Sequence, residues 1–221
     1  MKEGYLHSYI LKNNQRLIHK WVHYLDIYEK HFARFVDKEI IVLEIGVFRG
    51  GSAQMWESYF GPKAKIVGID IDPKCRGFAG GNFSVEIGNQ SDINFLKQVV
   101  EKHGKPNIVI DDGSHIMSDV IKTFEFLYYN TDENGVYLIE DTHTSYWNEY
   151  GGGVKRDGTI MEFVKDRLDE INSFHTRGKI PNSNFTKQTN SITTYDSVVV
   201  FERKPQAKRV DIKTGFFDST F

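Results

Sequence analysis

The chain has 221 residues, 39% hydrophobic and 26% charged, with 28 basic against 30 acidic side chains. That near balance leaves no global field to gather nucleic acid or an anionic membrane. No apolar run approaches the roughly 20 residues that span a bilayer, and the lone Cys75 excludes an internal disulfide. The length fits one domain with a full core, expected here as a helical lid over 1–38, a core over 39–204 and a tail over 205–221. The opening Met1-Lys2-Glu3-Gly4-Tyr5 lacks the apolar centre of a secretory signal, so a soluble cytoplasmic protein with a small neutral or cationic ligand is expected.

From about Ser8 to Phe35, Leu17, Trp21, Tyr24, Leu25, Tyr28 and Phe32 recur at helical spacing and predict one or two helices. His19 and His23 would share a face there, but no Glu stands beside His19 and no third ligand is evident. They read as helix-surface or lid histidines. Ile40 to Ile45 is the first strand, and Gly46-Val47-Phe48-Arg49-Gly50-Gly51-Ser52 turns into a helix beginning near Ala53. A phosphate-binding P-loop would need Lys where Ser52 stands, and a dinucleotide fingerprint would need Gly at Phe48. A nucleoside without phosphates suits the loop better.

The second strand, Lys65 to Ile69, ends in Asp70, placed to accept hydrogen bonds from ribose hydroxyls. Asp72 precedes Pro73 and reads as a turn. A third strand, around Phe83 to Ile87, leads into Gly88-Asn89-Gln90-Ser91-Asp92, which suits an adenine edge or, equally, a plain loop and helix cap.

The fourth strand, Ile108-Val109-Ile110, stops on Asp111-Asp112, followed by Gly113-Ser114-His115. The fifth, Gly135 to Ile139, stops on Glu140-Asp141. A crossover helix from Ser118 to about Asn130 would make the two strands parallel, bringing both acidic pairs into one crevice at the sheet's carboxyl edge. Carboxylates converging there repel one another unless a cation or shared protons relieve the field. An all-oxygen set suits Mg²⁺, with Mn²⁺ or Ca²⁺ as other hard ions. The bland reading is that Asp112-Gly113 makes a turn and Glu140-Asp141 a cap.

Above this crevice comes Thr142-His143-Thr144-Ser145-Tyr146-Trp147 and then Gly151-Gly152-Gly153, a loop placed to form a substrate wall. Thr159-Ile160-Met161-Glu162 is a capping box for a helix reaching about Phe174. Thr176 to Gln188 reads as a polar surface insertion, and Asn190 to Glu202 as one or two closing strands, an antiparallel hairpin. After Gly215, Phe216 and Phe217 read as a packing arm or a homo-oligomer contact.

The ordered set Glu44-Ile45-Gly46, Gly68-Ile69-Asp70, Gly88-Asn89-Gln90, Asp111-Asp112-Gly113-Ser114-His115 and Glu140-Asp141 resembles class I S-adenosylmethionine-dependent methyltransferases. More closely it is similar to the metal-dependent sugar O-methyltransferases of macrolide biosynthesis, a cephalosporin hydroxylase-like group. That similarity also touches His19-Lys20-Trp21-Val22-His23-Tyr24 and Tyr195 to Val200. The resemblance implies a Rossmann-like α/β fold with a mostly parallel sheet, helices on both faces and an antiparallel closing strand. It implies S-adenosylmethionine against Glu44, Gly46, Gly50, Ser52, Asp70, Asn89, Gln90, Asp92 and Asp111, with Mg²⁺ on Asp112, Glu140 and Asp141. His115 would be the general base, and His143, Tyr146 and Trp147 would meet a sugar or other vicinal diol.

Catechol-type methyltransferases share the spacing but carry Asn where this chain has Asp141 and Lys where it has His115, which favours the sugar branch. An iron site on Asp112, His115 and His143 for oxygen chemistry, and a non-catalytic cofactor-binding module, are the rival classes.

Overall fold

The computed structural model describes residues 4–215. Phe216 and Phe217, the expected packing arm, lie outside the described residues. Seven strands form one sheet: β1 (Ile40–Ile45), β2 (Ala64–Asp70), β3 (Phe83–Ile87), β4 (Ile108–Asp111), β5 (Val136–Ile139), β6 (Thr189–Tyr195) and β7 (Val198–Arg203). Their order is β3-β2-β1-β4-β5-β7-β6, with β1 to β5 parallel and β7 antiparallel to both its neighbours. The chain therefore has the Rossmann-like fold expected, closed by the hairpin expected from Asn190 onward.

Strands buried on both faces are near-continuous apolar runs, as β5 is throughout and β4 is up to its last residue, the buried Asp111. Alternate residues face opposite layers. Val42, Ile66, Ile108, Ile110 and Leu138 pack beneath α1 (Tyr5–Lys12), α2 (Tyr24–Phe32) and α3 (Gly51–Phe60), where Tyr28, Phe32, Trp56 and Phe60 supply the aromatic bulk. Leu43, Val67, Val109 and Tyr137 pack on the other face against α4 (Ile93–His103), α5 (Met117–Asn130), α6 (Ile160–Ile171) and α7 (Asn184–Gln188). Among the described residues no helix is long and apolar enough to cross a membrane.

Two sequence expectations need correction. Helical spacing does not carry through the N-terminal segment: between α1 and α2 the chain runs irregularly, and Leu17 and Trp21 are exposed. His19 and His23 consequently share no helix face. The stretch Thr176 to Gln188 is not wholly surface either, since α7 buries Phe185 and Thr186 completely against the sheet. Of the expected capping box only the N-cap half forms: the Thr159 hydroxyl accepts from the Glu162 N–H at 3.3 Å, while the Thr159 N–H donates to the Arg156 carbonyl and Glu162 accepts from Lys165.

Register places the site. Ile45 pairs with Ile69 on one side and Asp111 on the other, and Asp111 pairs with Ile139. Gly46, Asp70, Asp112 and Glu140 are each the next residue, so they form one row along the carboxyl edge. Gly46 must be glycine there: its φ is +95°, and a Cβ would lie 2.1 Å from the Asp112 carbonyl oxygen. We expect Gly46→Ala to lower the unfolding free energy by about 2–4 kcal/mol, read by urea denaturation.

Candidate active site

The loop after β1 is held down by a carboxylate. Asp70 Oδ2 accepts from the Val47 and Phe48 N–H groups at 2.9 and 3.0 Å, and Oδ1 accepts from the Asp72 N–H at 2.8 Å. Burial pushes the Asp70 pKa up, but these three backbone donors outweigh it and hold the group below its ordinary value. Beneath the loop, buried Glu44 accepts from the Ser52 hydroxyl at 2.8 Å and the Trp56 indole N–H at 3.0 Å. Burial raises its pKa.

Two cavities adjoin at Gly46, Asp70 and Gly113. One, about 460 Å³, is lined by the β1 loop, Ser52, Asp112, His115 and Asp141, and is roofed by Leu17 to Lys20. The other, about 330 Å³, is flanked by Ile69, Ile71, Asn89, Gln90 and Ile116. Their junction at a strand-end carboxylate makes an elongated cleft with an apolar-sided half and a polar half, a shape that suits a nucleoside carrying a charged chain.

The row of acids continues across β4 and β5. Asp111 is buried, accepting from Gln90 Nε2 at 3.1 Å and the Tyr137 hydroxyl at 3.3 Å. Burial pushes its pKa up to about 7, against the pull of those two donors. Asp112 and Glu140 meet at a residue that strand patterning did not single out: Lys20 Nζ donates to Asp112 Oδ2 at 2.6 Å and to both Glu140 oxygens at 2.8 Å. Its side chain is 4% exposed, and Glu44 Oε1 is 3.9 Å away. Burial alone would lower the Lys20 pKa, but Asp112, Glu140 and Glu44 outweigh it and keep the ammonium protonated. The Tyr28 hydroxyl also donates to Glu140 Oε1, at 2.7 Å. Burial and the Asp112 charge push the Glu140 pKa up, against the pull of Lys20.

Asp141 faces the cleft, its Oδ1 accepting from the Tyr24 hydroxyl at 2.7 Å. His115 Nε2 lies 3.7 Å from Asp112 Oδ1 and 3.7 Å from Asp141 Oδ2. Among the described residues, Asp112, His115 and Asp141 alone form a group able to hold a metal ion, with ligand atoms all within 4.8 Å of one another. Hard carboxylate oxygens with an imidazole beside them fit a divalent cation by donor chemistry. Phe48, His115 and Asp141 all have positive φ, at 50°, 57° and 52°, a costly backbone state for a residue with a Cβ that clusters at functional sites.

The cleft gathers Gly46, Ser52, Asp70, Asn89, Gln90, Asp112, His115 and Asp141 on its surface. Glu44, Asp111 and Glu140 lie beneath it, and Gly50 turns the chain into α3 under Phe78. Asp92 caps α4, accepting from the Asn94 and Phe95 N–H groups at 2.9 and 3.3 Å, and lines neither cavity. His143 sits 4.7 Å from Trp147 and 6.3 Å from Trp21, ring to ring, forming an aromatic rim with half-exposed Tyr146. His143 Nδ1 is hydrogen-bonded to the Ser197 hydroxyl and lies 3.9 Å from Asp141 Oδ1, and His143 is not one of the residues of the Asp112–His115–Asp141 group, so the geometry does not support a two-histidine iron site. As site residues Lys20, Tyr24 and Tyr28 were not expected: Tyr24 and Tyr28 were read only as apolar helix positions, and the only signal for Lys20 was the similarity touching residues 19–24.

No family model matches the sequence. The 8-demethyl-8-(2-methoxy-alpha-L-rhamnosyl)-tetracenomycin-C 3'-O-methyltransferase of Streptomyces olivaceus is 37% identical over 161 residues, which is 68% of this chain and 41% of that one. The mycinamicin VI 2''-O-methyltransferase of Micromonospora griseorubida is 36% identical over 154 residues, 65% of this chain and 38% of that one. A crystal structure of the MycE methyltransferase of mycinamycin biosynthesis, in complex with Mg, S-adenosylhomocysteine (SAH) and mycinamycin VI, superposes with a TM-score of 0.80 at 28% identity. It covers 93% of this chain and 54% of that one. The chain has the class I methyltransferase fold and is similar to the macrolide sugar O-methyltransferases. It spans about two fifths of the length of the curated relatives it matches.

In this methyltransferase core, Asp111 makes folding depend on pH. Its folded pKa of about 7 lies above the ordinary Asp value, so between about pH 4 and 7 the folded state binds the extra proton and stability falls as pH rises. In chelator, we expect Asp111→Asn to remove a slope of up to about 1.4 kcal/mol per pH unit across that window, measured by urea denaturation at a series of pH values.

Proposed function

We propose that the protein transfers a methyl group from S-adenosylmethionine to one hydroxyl of a vicinal diol on a sugar, with Mg²⁺ as the metal. The observation that carries this reading is the group of Asp112, Asp141 and His115 at the mouth of a nucleoside-shaped cleft. Names of relatives that methylate sugar hydroxyls, and a similar structure holding Mg and SAH, support it.

Asp70 and the loop it holds would cradle the ribose, while Asn89 and Gln90 flank the adenine end. Asp112, Glu140 and Asp141 are the carboxylates that would hold the ion. Bound there, Mg²⁺ supplies acidification and orientation of the acceptor hydroxyl, since an alcohol is a poor nucleophile at neutral pH. His115 Nε2, beside Asp112 and Asp141 at the mouth of the cleft, would take the hydroxyl proton as the oxygen bonds to the methyl carbon and the carbon–sulfur bond breaks, leaving SAH. The sulfonium already activates the methyl group, so what the cleft contributes is alignment, worth up to about 7–11 kcal/mol when complete. Leu17 to Lys20 cover this cleft, and Trp21, His143 and Trp147 give the sugar an apolar wall.

Incubation with labelled S-adenosylmethionine and glycosides bearing a vicinal diol tests this. Transfer should require Mg²⁺ and stop in chelator, and His115→Ala should lower kcat by about 10²–10⁴-fold while leaving SAH affinity within about twofold. Turnover that ignores chelator, or an unimpaired His115→Ala protein, would refute the assignment.

A further inference from the structure

The segment Asn13 to His23, between α1 and α2, lies over the cleft as a strap, and its attachment is unusual. Leu17, Trp21 and Val22 are exposed, and of its apolar side chains only Ile18 packs against the core. Its ties are polar: Arg16 Nη1 donates to the Phe78 carbonyl at 3.0 Å, His23 Nε2 lies 3.1 Å from the Asp196 carbonyl, and the Leu17 carbonyl rests on Gly51. The strongest is Lys20, whose ammonium reaches through the roof to Asp112 and Glu140 with a third carboxylate, Glu44, close by.

An ammonium in that position does the work of a cation between the ends of β4 and β5. Three carboxylates around one buried point repel one another strongly at low dielectric unless a positive charge sits among them. Lys20 uses Asp112 Oδ2 and both oxygens of Glu140, leaving Asp112 Oδ1 turned toward His115 and Asp141. Glu140 accordingly has no oxygen available to the cleft while Lys20 is in place.

We propose that Lys20 is a resident surrogate cation which competes with the divalent ion for Asp112 and Glu140, so that ion binding withdraws Lys20 and loosens the strap over the cleft. This inference rests on the metal-dependent reading above. It makes Lys20 a positioning residue. In the metal-free protein it keeps the two acids together and the roof closed, and the ion must displace it, so the apparent affinity is the intrinsic affinity multiplied by the fraction of protein in which Lys20 is withdrawn. Opening of the cover to substrate then follows occupancy of the metal site.

Two measurements on the full chain decide it. The first is amine acetylation of the wild-type protein read by mass spectrometry, in chelator and at saturating Mg²⁺. Lys20 should be protected in chelator and acetylated at least ten times faster with Mg²⁺, with trypsin cleavage after Arg16 rising in parallel. The second is calorimetric titration of Mg²⁺ into wild type and Lys20→Met, where the variant should bind at least ten-fold tighter. It should also gain more in Tm from Mg²⁺ than wild type does, because only the ion can then neutralise the acids. If wild type binds Mg²⁺ with Lys20 still protected, or Lys20→Met binds no tighter, Lys20 shares the site rather than competing for it and this inference falls while the proposed activity stands. If neither protein binds Mg²⁺, the metal-dependent reading falls and takes this one with it. Should Lys20→Met not fold, acetylation of the wild-type protein separates competition from sharing without it.

Discussion

The structure depends on one electrostatic constraint: parallel strands in register deliver carboxylates to a single edge, where burial removes the water that would screen them. Glu44, Asp111 and Glu140 are buried, and Asp112 and Asp141 stand just above them. Such a group is stable only with protons, positive charge or both. The fold uses both. Burial raises the pKa of Glu44, Asp111 and Glu140. A single ammonium, Lys20, is driven in from a segment far away in sequence.

That arrangement divides the acids by role. Two of those beneath the cleft tie elements together: Glu44 joins β1 to α3 through Ser52 and Trp56, and Asp111 joins β4 to Gln90 and Tyr137. Those at its mouth keep oxygen atoms facing the space a ligand would fill. Asp70 does both, since its backbone donors fix the β1 loop while the residue still lines both cavities. The strained backbone at Phe48, His115 and Asp141 has the same logic, because each turns sharply at a strand end to aim its side chain into the cleft.

Comparison with the macrolide sugar O-methyltransferases shows where this chain stands in a larger design. The matched stretch takes in about two thirds of this chain. The relatives are more than twice as long as the stretch they share with it. On the proposed function, the rim with Trp21, Trp147 and the glycine-rich stretch after it is where an acceptor would be met. Loops over a rigid edge can change without disturbing the register beneath them.

Most of the sheet was readable from sequence because strands buried on both faces are near-continuous apolar runs that end on polar residues, as at Ile110-Asp111 and Ile139-Glu140. The ordered acids, the glycines and His115 could be placed on strand ends by that rule alone. The N-terminal segment defeated it: Leu17 and Trp21 sit at helical spacing yet face solvent on an irregular strap. Asn184 to Gln188 looked like surface because one buried Phe185 among polar neighbours carries no periodicity. By itself the sequence determined the architecture and the row of carboxylates, both written in local patterns of hydrophobicity and turn residues. Only the tertiary structure decided how that row is neutralised. The partner of Asp112 and Glu140 is a lysine about a hundred residues away, and a charge pair of that separation leaves no periodic trace in the chain.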